Sequence, residues 1–219
     1  MSRDFEWNQP PTAESVSRLV NFTDAVAGIA LTLLVLPLLE LEPPEHETIW
    51  EFMRANNGVL LAFALSFVIT LMFWRRHHRM FDGLESFDAP LVALNGIWLF
   101  ALVFLQFPTE VLGRVGGRGG IGTLYIGTLA VLTWLGVIIV IYLRRNPDLM
   151  PAERAVPKLA AIWTAITASY LTVAALVALV APNGALWMLL GLVVLGWGES
   201  FQRRRAGEAA QAQQDAVAS

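Results

Sequence analysis

The chain has no cysteine among its 219 residues, which excludes disulfides, thiolate metal sites and cysteine nucleophiles. Charge is scarce as well. Asp, Glu, Lys and Arg make up 15% of the residues, where soluble domains carry about 25%. The net charge of −3 says little by itself, and no nucleic-acid partner is expected. Also missing is any polar stretch long enough to form a soluble domain, so whatever chemistry the chain performs is expected in its apolar part. No cleavable signal peptide is visible: the first 17 residues are polar and carry acids and prolines, so the first apolar helix is expected to act as its own insertion signal.

What is present is hydrophobic sequence, 56% of residues, with a mean hydropathy of +0.56. A bilayer core of about 30 Å requires roughly 20 mostly apolar residues per helix. Six segments qualify, at 20–39, 55–74, 89–108, 121–143, 158–181 and 184–202, which predicts an all-α membrane protein with six transmembrane helices. Barrel strands are a poor alternative, because these runs are long and unbroken rather than alternating over about 10 residues. The expected organisation is a polar leader at 1–17, ordered at most near Trp7, a membrane domain at 18–202, and a polar, disordered tail at 203–219. Of the fifteen Lys and Arg residues, twelve fall on one side if the six spans alternate; only Arg54, Arg114 and Arg118 fall on the other. The positive-inside rule then places both termini in the cytoplasm. The first outer loop, with Glu40, Glu42, Glu45, Glu47 and Glu51, is acidic. Short loops and the lack of organellar targeting suit the inner (plasma) membrane of a bacterium.

Two glycine-rich patterns are rejected. Gly117, Gly119 and Gly122 form a formal GxGxxG, but no strand precedes it and no Rossmann unit fits, so a flexible turn is expected at 113–122. GTLYIG at 122–127 faintly echoes a carbonyl selectivity filter, which requires non-helical backbone. Here the stretch opens an ordinary fourth span.

The segment RLVNFTDAVAGIALTLLVLP at 18–37 is the most informative. An acid inside a membrane segment is expensive, and it usually faces protein or water and marks function. With Ile29 set at zero on a helical wheel of about 100° per residue, Phe22 falls at about +20°, Ala25 at about −40°, Thr32 at about −60°, Leu33 at about +40° and Leu36 at about −20°. Asp24 falls at about 220°, on the far side. If Ile29 lines a path, Asp24 faces neighbouring helices and must find hydrogen-bond partners there. Trp74, His77 and His78 close the second span at the same depth, and Asn95 lies early in the third; all four are candidate partners. The competing reading makes Trp74 and the His-Arg cluster interface anchors and positive-inside charge. Thr32 has its own plain reading, a hydroxyl bonded back to its own helix, and Pro37 is expected to kink or end the first helix.

A metal site is not expected, since the two histidines lack a partner at i,i+4 and no acid cluster completes a ligand set. No motif supports nucleophilic catalysis, and the chain is expected not to be an enzyme.

These residues resemble a known family. RLVNFTDAVAGIALTLLVLPL resembles the RxxxFSD first helix of the endolysosomal potassium channels of the transmembrane protein 175 type and their bacterial, single-repeat relatives. FALSFVITLMFWRRHHRMF at 63–81 is similar to that family's second helix with its W-x-x-H-H ending, and LNGIWLFALVFLQFPTEVLG at 94–113 to its third. The resemblance covers residues 18–202, specifically in the first three spans and mainly by pattern in the last three. It implies a homotetramer in the lipid bilayer whose four first helices line a pore for monovalent cations, K+ above all, with no cofactor. It puts the family's constricting isoleucine on Ile29, its outer apolar layers on Leu33 and Leu36, and a filter threonine on Thr32. Arg18, Phe22, Thr23 and Asp24 take the RxxxFSD positions, and with Trp74, His77, His78 and Asn95 they form the expected helix-positioning hydrogen-bond network. Thr23 departs from the family serine, keeping the hydroxyl while adding a methyl and a stiffer rotamer. Arg18 falls on the pore side of a straight helix, which requires either splayed helices or a partner on a neighbouring subunit.

The expectation is therefore a potassium-preferring cation channel with a hydrophobic constriction at Ile29. The rivals are a proton-coupled transporter using Asp24, His77 and His78, and a non-conducting membrane scaffold.

Overall fold

The computed structural model describes residues 11–42, 48–117, 120–151, 153–154, 157–181 and 191. The described residues contain helices and no strands: α1 (Ala13–Leu33), α2 (Leu36–Leu39), α3 (Ile49–Ala55), α4 (Asn57–Phe81), α5 (Ala89–Phe104), α6 (Gln106–Val115), α7 (Ile121–Arg145) and α8 (Lys158–Val180). Among them, five stretches are long and apolar enough to cross a bilayer: Ala13–Leu39, Asn57–Phe81, Ala89–Val115, Ile121–Arg145 and Ala161–Val180. Apart from Gly191, the expected sixth span lies outside the described residues, as do Trp7 and the tail at 203–219.

The helix boundaries follow local chemistry. Thr12 caps α1, its side chain accepting the Ser15 N–H at 3.2 Å, and Glu14 sits in the first turn where the helix dipole favours an acid. Residues 13–17, grouped by composition with the polar leader, thus form the opening of the first helix. Asp88 caps α5 in the same way, accepting from Leu91 N–H at 3.0 Å, with Pro90 in the first turn. The second span runs seven residues past the apolar stretch, to Phe81, because its last turns bury His77, Met80 and Phe81.

Two spans are broken near their prolines. Pro37 has no N–H to give, and the chain shifts at Leu34 and Val35 from α1 to the single turn α2, with Val35 N–H bonding Thr32 O at 3.2 Å. The third span breaks at Leu105, ahead of Pro108, and continues as α6 to Val115. Between α6 and α7, Gly116 and Gly120 take φ of +68° and +84°, backbone conformations that only glycine adopts freely. GTLYIG lies inside α7 and is ordinary helix.

In the packed bundle α7 is the central element: Tyr125, Ile126, Leu129, Leu132 and Ile139 are fully enclosed, with α8 on one side and α5 and α6 on the other. Helix α4 packs closely on α6. A Cβ added at Gly58 would lie 2.9 Å from Gly113 O, and one added at Gly113 would lie 3.0 Å from Val59 Cα, so the two backbones touch. A buried hydroxyl chain crosses the same interface: Ser66 Oγ is 2.9 Å from Tyr125 OH and 3.0 Å from Thr109 Oγ1, and Thr109 Oγ1 lies 2.8 Å from Leu105 O. Run in one direction, Tyr125 donates to Ser66, Ser66 to Thr109 and Thr109 to the carbonyl at the helix break, so every proton is used. Helix α1 packs mainly on α4 and α5 through Val16, Thr23, Ala27, Ala30 and Leu34. Alanines on that face let the backbones approach, which is how helices associate where lipid removes the hydrophobic drive.

A candidate functional site on the two faces of the first helix

Helix α1 presents two different surfaces. The face toward α4 and α5 carries Thr23 and Asp24. Trp74 Nε1–H donates to Asp24 Oδ1 at 2.8 Å, and His78 Nδ1 lies 3.0 and 3.1 Å from the two Asp24 oxygens. Trp74 and His78 are four residues apart on α4, so both reach the same neighbour. One residue round the helix, His77 turns instead to α5. Its Nε2 lies 2.8 Å from Asn95 Oδ1, and Asn95 Nδ2–H donates at 2.8 Å to Thr23 Oγ1, which in turn donates to Leu19 O at 2.9 Å.

The donor inventory fixes the protons. A carboxylate and an amide oxygen only accept. In these contacts His77 therefore donates from Nε2 and His78 from Nδ1, each set by its partner. His77 is locked further by stacking between Trp98, at 3.7 Å between ring centroids and 10° between planes, and Phe81, at 4.4 Å. Thr23, His77 and Asn95 are buried. The methyl that distinguishes Thr23 from serine is enclosed, while its hydroxyl is saturated: it accepts from Asn95 and donates to its own helix.

The two chains of hydrogen bonds are separate. Among the described residues His77 Nδ1 has no hydrogen-bond partner, and none of the described hydrogen bonds joins His77 to Asp24.

The other face of α1 and α2 is apolar and turned away from the chain. Phe22, Ile29 and Leu36 expose 60%, 58% and 50% of their surface, and Leu33 is exposed beside them, whereas Ala27 and Ala30 on the opposite side expose none. Thr32 is exposed on the same side, its hydroxyl donating to Ile29 O at 2.8 Å. The bond runs to the i−3 carbonyl at the last turn of α1, and the oxygen's lone pairs remain outward. Arg18 pairs with Glu14 of its own helix at 2.6 Å, both side chains exposed, so its charge is answered within the same helix.

Several features were not legible beforehand. The hydroxyl chain Ser66–Thr109–Tyr125 gave no sequence signal, because membrane serines and threonines commonly bond to their own backbone, as Thr128, Thr133, Thr167 and Thr172 do here. Arg114 was counted only as an outer charge; it pairs with Glu40 and, at 3.2 Å, with Glu110. Among the described residues no three His, Asp or Glu side chains converge as a metal site.

Comparison with known proteins gives this geometry a context. Residues 18–105 match the family described as endosomal/lysosomal potassium channel TMEM175, a family of ion channels and not of enzymes. A potassium channel of Chamaesiphon minutus is 34% identical over 112 residues, 48% of this chain and 53% of that one. A potassium channel of Streptomyces collinus is 28% identical over 97 residues, 44% of this chain and 47% of that one. TMEM175 of Danio rerio, named an endosomal/lysosomal proton channel, is 25% identical over 148 residues, 64% of this chain and 27% of that one. The matched segment thus spans about half the length of the bacterial relatives. The fold is that of the crystal structure of the Chamaesiphon minutus TMEM175 homologue, with a TM-score of 0.70 at 21% identity over 84% of this chain and 97% of that one.

Proposed function

We take membership of the TMEM175 potassium-channel family, carried by residues 18–105, as the premise and propose that the chain is a cation channel of a bacterial inner membrane. Four copies form a homotetramer with both termini cytoplasmic and six spans per subunit. The first helices surround a central pore that prefers potassium. The observation that carries the reading is the division of α1. Thr23 and Asp24 are turned into the chain and hydrogen-bonded there, while Phe22, Ile29, Leu33 and Leu36 are turned out of it.

In this reading Ile29 is the narrowest point. A ring of four such side chains makes ions shed water or closes the path by dewetting. Leu33 and Leu36 extend the apolar stripe outward. Thr32, whose proton is taken by Ile29 O, offers oxygen lone pairs in place of lost hydration. The network of Thr23, Asp24, Trp74, His77, His78 and Asn95 holds the helix from behind and sets its rotation. Arg18, neutralised by Glu14, sits at the inner mouth without presenting a bare positive ring. The acidic first loop concentrates cations outside.

Reversal potentials in reconstituted bilayers under potassium, sodium and chloride gradients test this. The expected outcome is cation permeation with potassium over sodium, less sharply than in a carbonyl filter. Anion permeation, or no current, overturns it.

A second reading is proton movement, supported by the contact of His78 with Asp24 and by relatives named proton channels. A relay through Asp24, His77 and His78 meets an obstacle, since His77 bonds Asn95 and not Asp24. Saturable flux with strict proton coupling would favour it.

A further inference from the structure

We propose that Arg114 is a positioning residue for the outer mouth: it clamps the segment beyond the break in the first span onto the α4–α6 pair. The proposal rests on the channel reading, but its contacts are different ones. Helix α2 is a single turn, Leu36–Leu39, separated from α1 by a break at Leu34 and Val35 and carrying Pro37, which gives no backbone hydrogen bond. One turn does not stabilise itself, because helix nucleation fixes several dihedrals for few hydrogen bonds. Its position must come from tertiary contacts. Leu36, the outer layer of the apolar stripe, belongs to this segment and inherits that position.

The segment ends at Glu40, and Glu40 pairs with Arg114 in the last turn of α6. Arg114 is oriented from its own helix by Glu110, 3.2 Å away. The base beneath it does not give. Gly113, the preceding residue, is in backbone contact with Gly58 and Val59 of α4, so α6 cannot slide or tilt there without a clash. Just over one turn earlier on α6, Thr109 bonds Ser66 of α4 at 3.0 Å, a second tie between the same helices. The result is a rigid pair of helices in which α4 touches the single turn α2 and α6 extends one guanidinium to its C-terminal end.

The pair is half exposed, 50% at Arg114 and 63% at Glu40, and exposed ion pairs contribute little to global stability. A bias on one local equilibrium is a smaller task. A fivefold shift in the population of the clamped position corresponds to about 1 kcal/mol. Arg114 also neutralises Glu40 at the mouth, and the two effects separate experimentally. Losing the charge alone changes salt-dependent conductance; losing the clamp changes the mobility of α2.

The test uses the full chain, which has no native cysteine. A nitroxide is placed on Leu39→Cys, an exposed position at the end of α2, with Phe100→Cys on α5 as the control. Arg114→Gln, Glu40→Gln and the double variant are each expected to sharpen the Leu39 spectrum to a similar degree, non-additively. Arg114→Lys is expected to restore most of the restriction, and the control spectrum stays fixed. Unchanged mobility at Leu39 in Arg114→Gln, or additive changes in the double variant, overturns the clamp whether or not the chain conducts. In single-channel records the clamp predicts about a fivefold change in the open-to-closed ratio for both single variants at high salt; a change confined to low-salt conductance would make Arg114 only a charge. Absence of current in the unmodified chain would sink the channel reading while leaving the spectroscopic result standing.

Discussion

His77 and His78 are neighbours in sequence and serve different partners. Successive residues on a helix point about 100° apart, so one ring meets α5 and the other meets α1. The sequence marked both as candidates for Asp24, because depth along a span is legible from residue number while the neighbour that each side of a helix faces is not. Asn95 is the residue on which the inner network turns, accepting from His77 and donating to Thr23. Asn95→Leu would orphan the His77 N–H. In membrane proteins such losses range from a few tenths to about 2 kcal/mol, so a cost of about 1–2 kcal/mol is expected in detergent unfolding. Thr23→Ser keeps the hydroxyl and is expected to lie within about 0.5 kcal/mol of the parent. Equal losses for the two would show that packing, not the hydrogen bond, matters at Thr23. On the outward face, Ile29→Asn wets the proposed constriction; larger conductance and weaker potassium preference are expected in bilayer recordings, and unchanged permeation would move the narrow point elsewhere on the stripe.

At the scale of elements, the described spans were readable because apolar runs in lipid have few alternatives to helix. Their ends were not. The second span continues to Phe81 despite Arg75, Arg76 and Arg79, because a helix can bury one side of a turn while Arg75 and Arg79 face out; Arg76 is partly buried and donates to Thr164 of α8. The break at Leu34 was foretold by Pro37, whereas the one at Leu105 was not, because Pro108 was read only within the stretch 94–113. The short helix α3 was not anticipated. It is closed by a capping box, Thr48 accepting from Glu51 N–H while Glu51 accepts from Thr48 N–H and Oγ1 at 2.8 Å. Those hydrogen bonds, backbone first, hold the Glu51 carboxyl below its ordinary range. A depressed carboxyl contributes stability that is present above the ordinary glutamate value and lost as pH falls through the lowered one. Hydrogen-exchange protection in α3 is therefore expected to decline as pH drops below the usual glutamate range, and Glu51→Ala should flatten that dependence by lowering protection already at neutral pH.

At the scale of the whole molecule, a single chain leaves the Phe22–Ile29–Leu33–Leu36 stripe uncovered, and exposure alone does not separate a pore lining from a lipid-facing surface. Other spans expose comparable apolar residues, Phe100 on α5 and Leu61 on α4 among them. What separates them is which positions meet across a symmetry axis, and the cysteine-free chain makes that measurable. A residue on an axis faces its own copies, so Ile29→Cys is expected to form covalent dimers rapidly on oxidation or with a short bismaleimide in membranes. Ala27→Cys, buried against α4 and α5 of the same chain, is expected to form none. Leu36→Cys should cross-link more slowly than Ile29→Cys if the first helices diverge outward past the break. Should Phe100→Cys or Leu61→Cys dimerise readily while Ile29→Cys stays monomeric, the first helix lies off the axis. The fold and the inner network would then stand, and the path for ions would have to be sought between other helices.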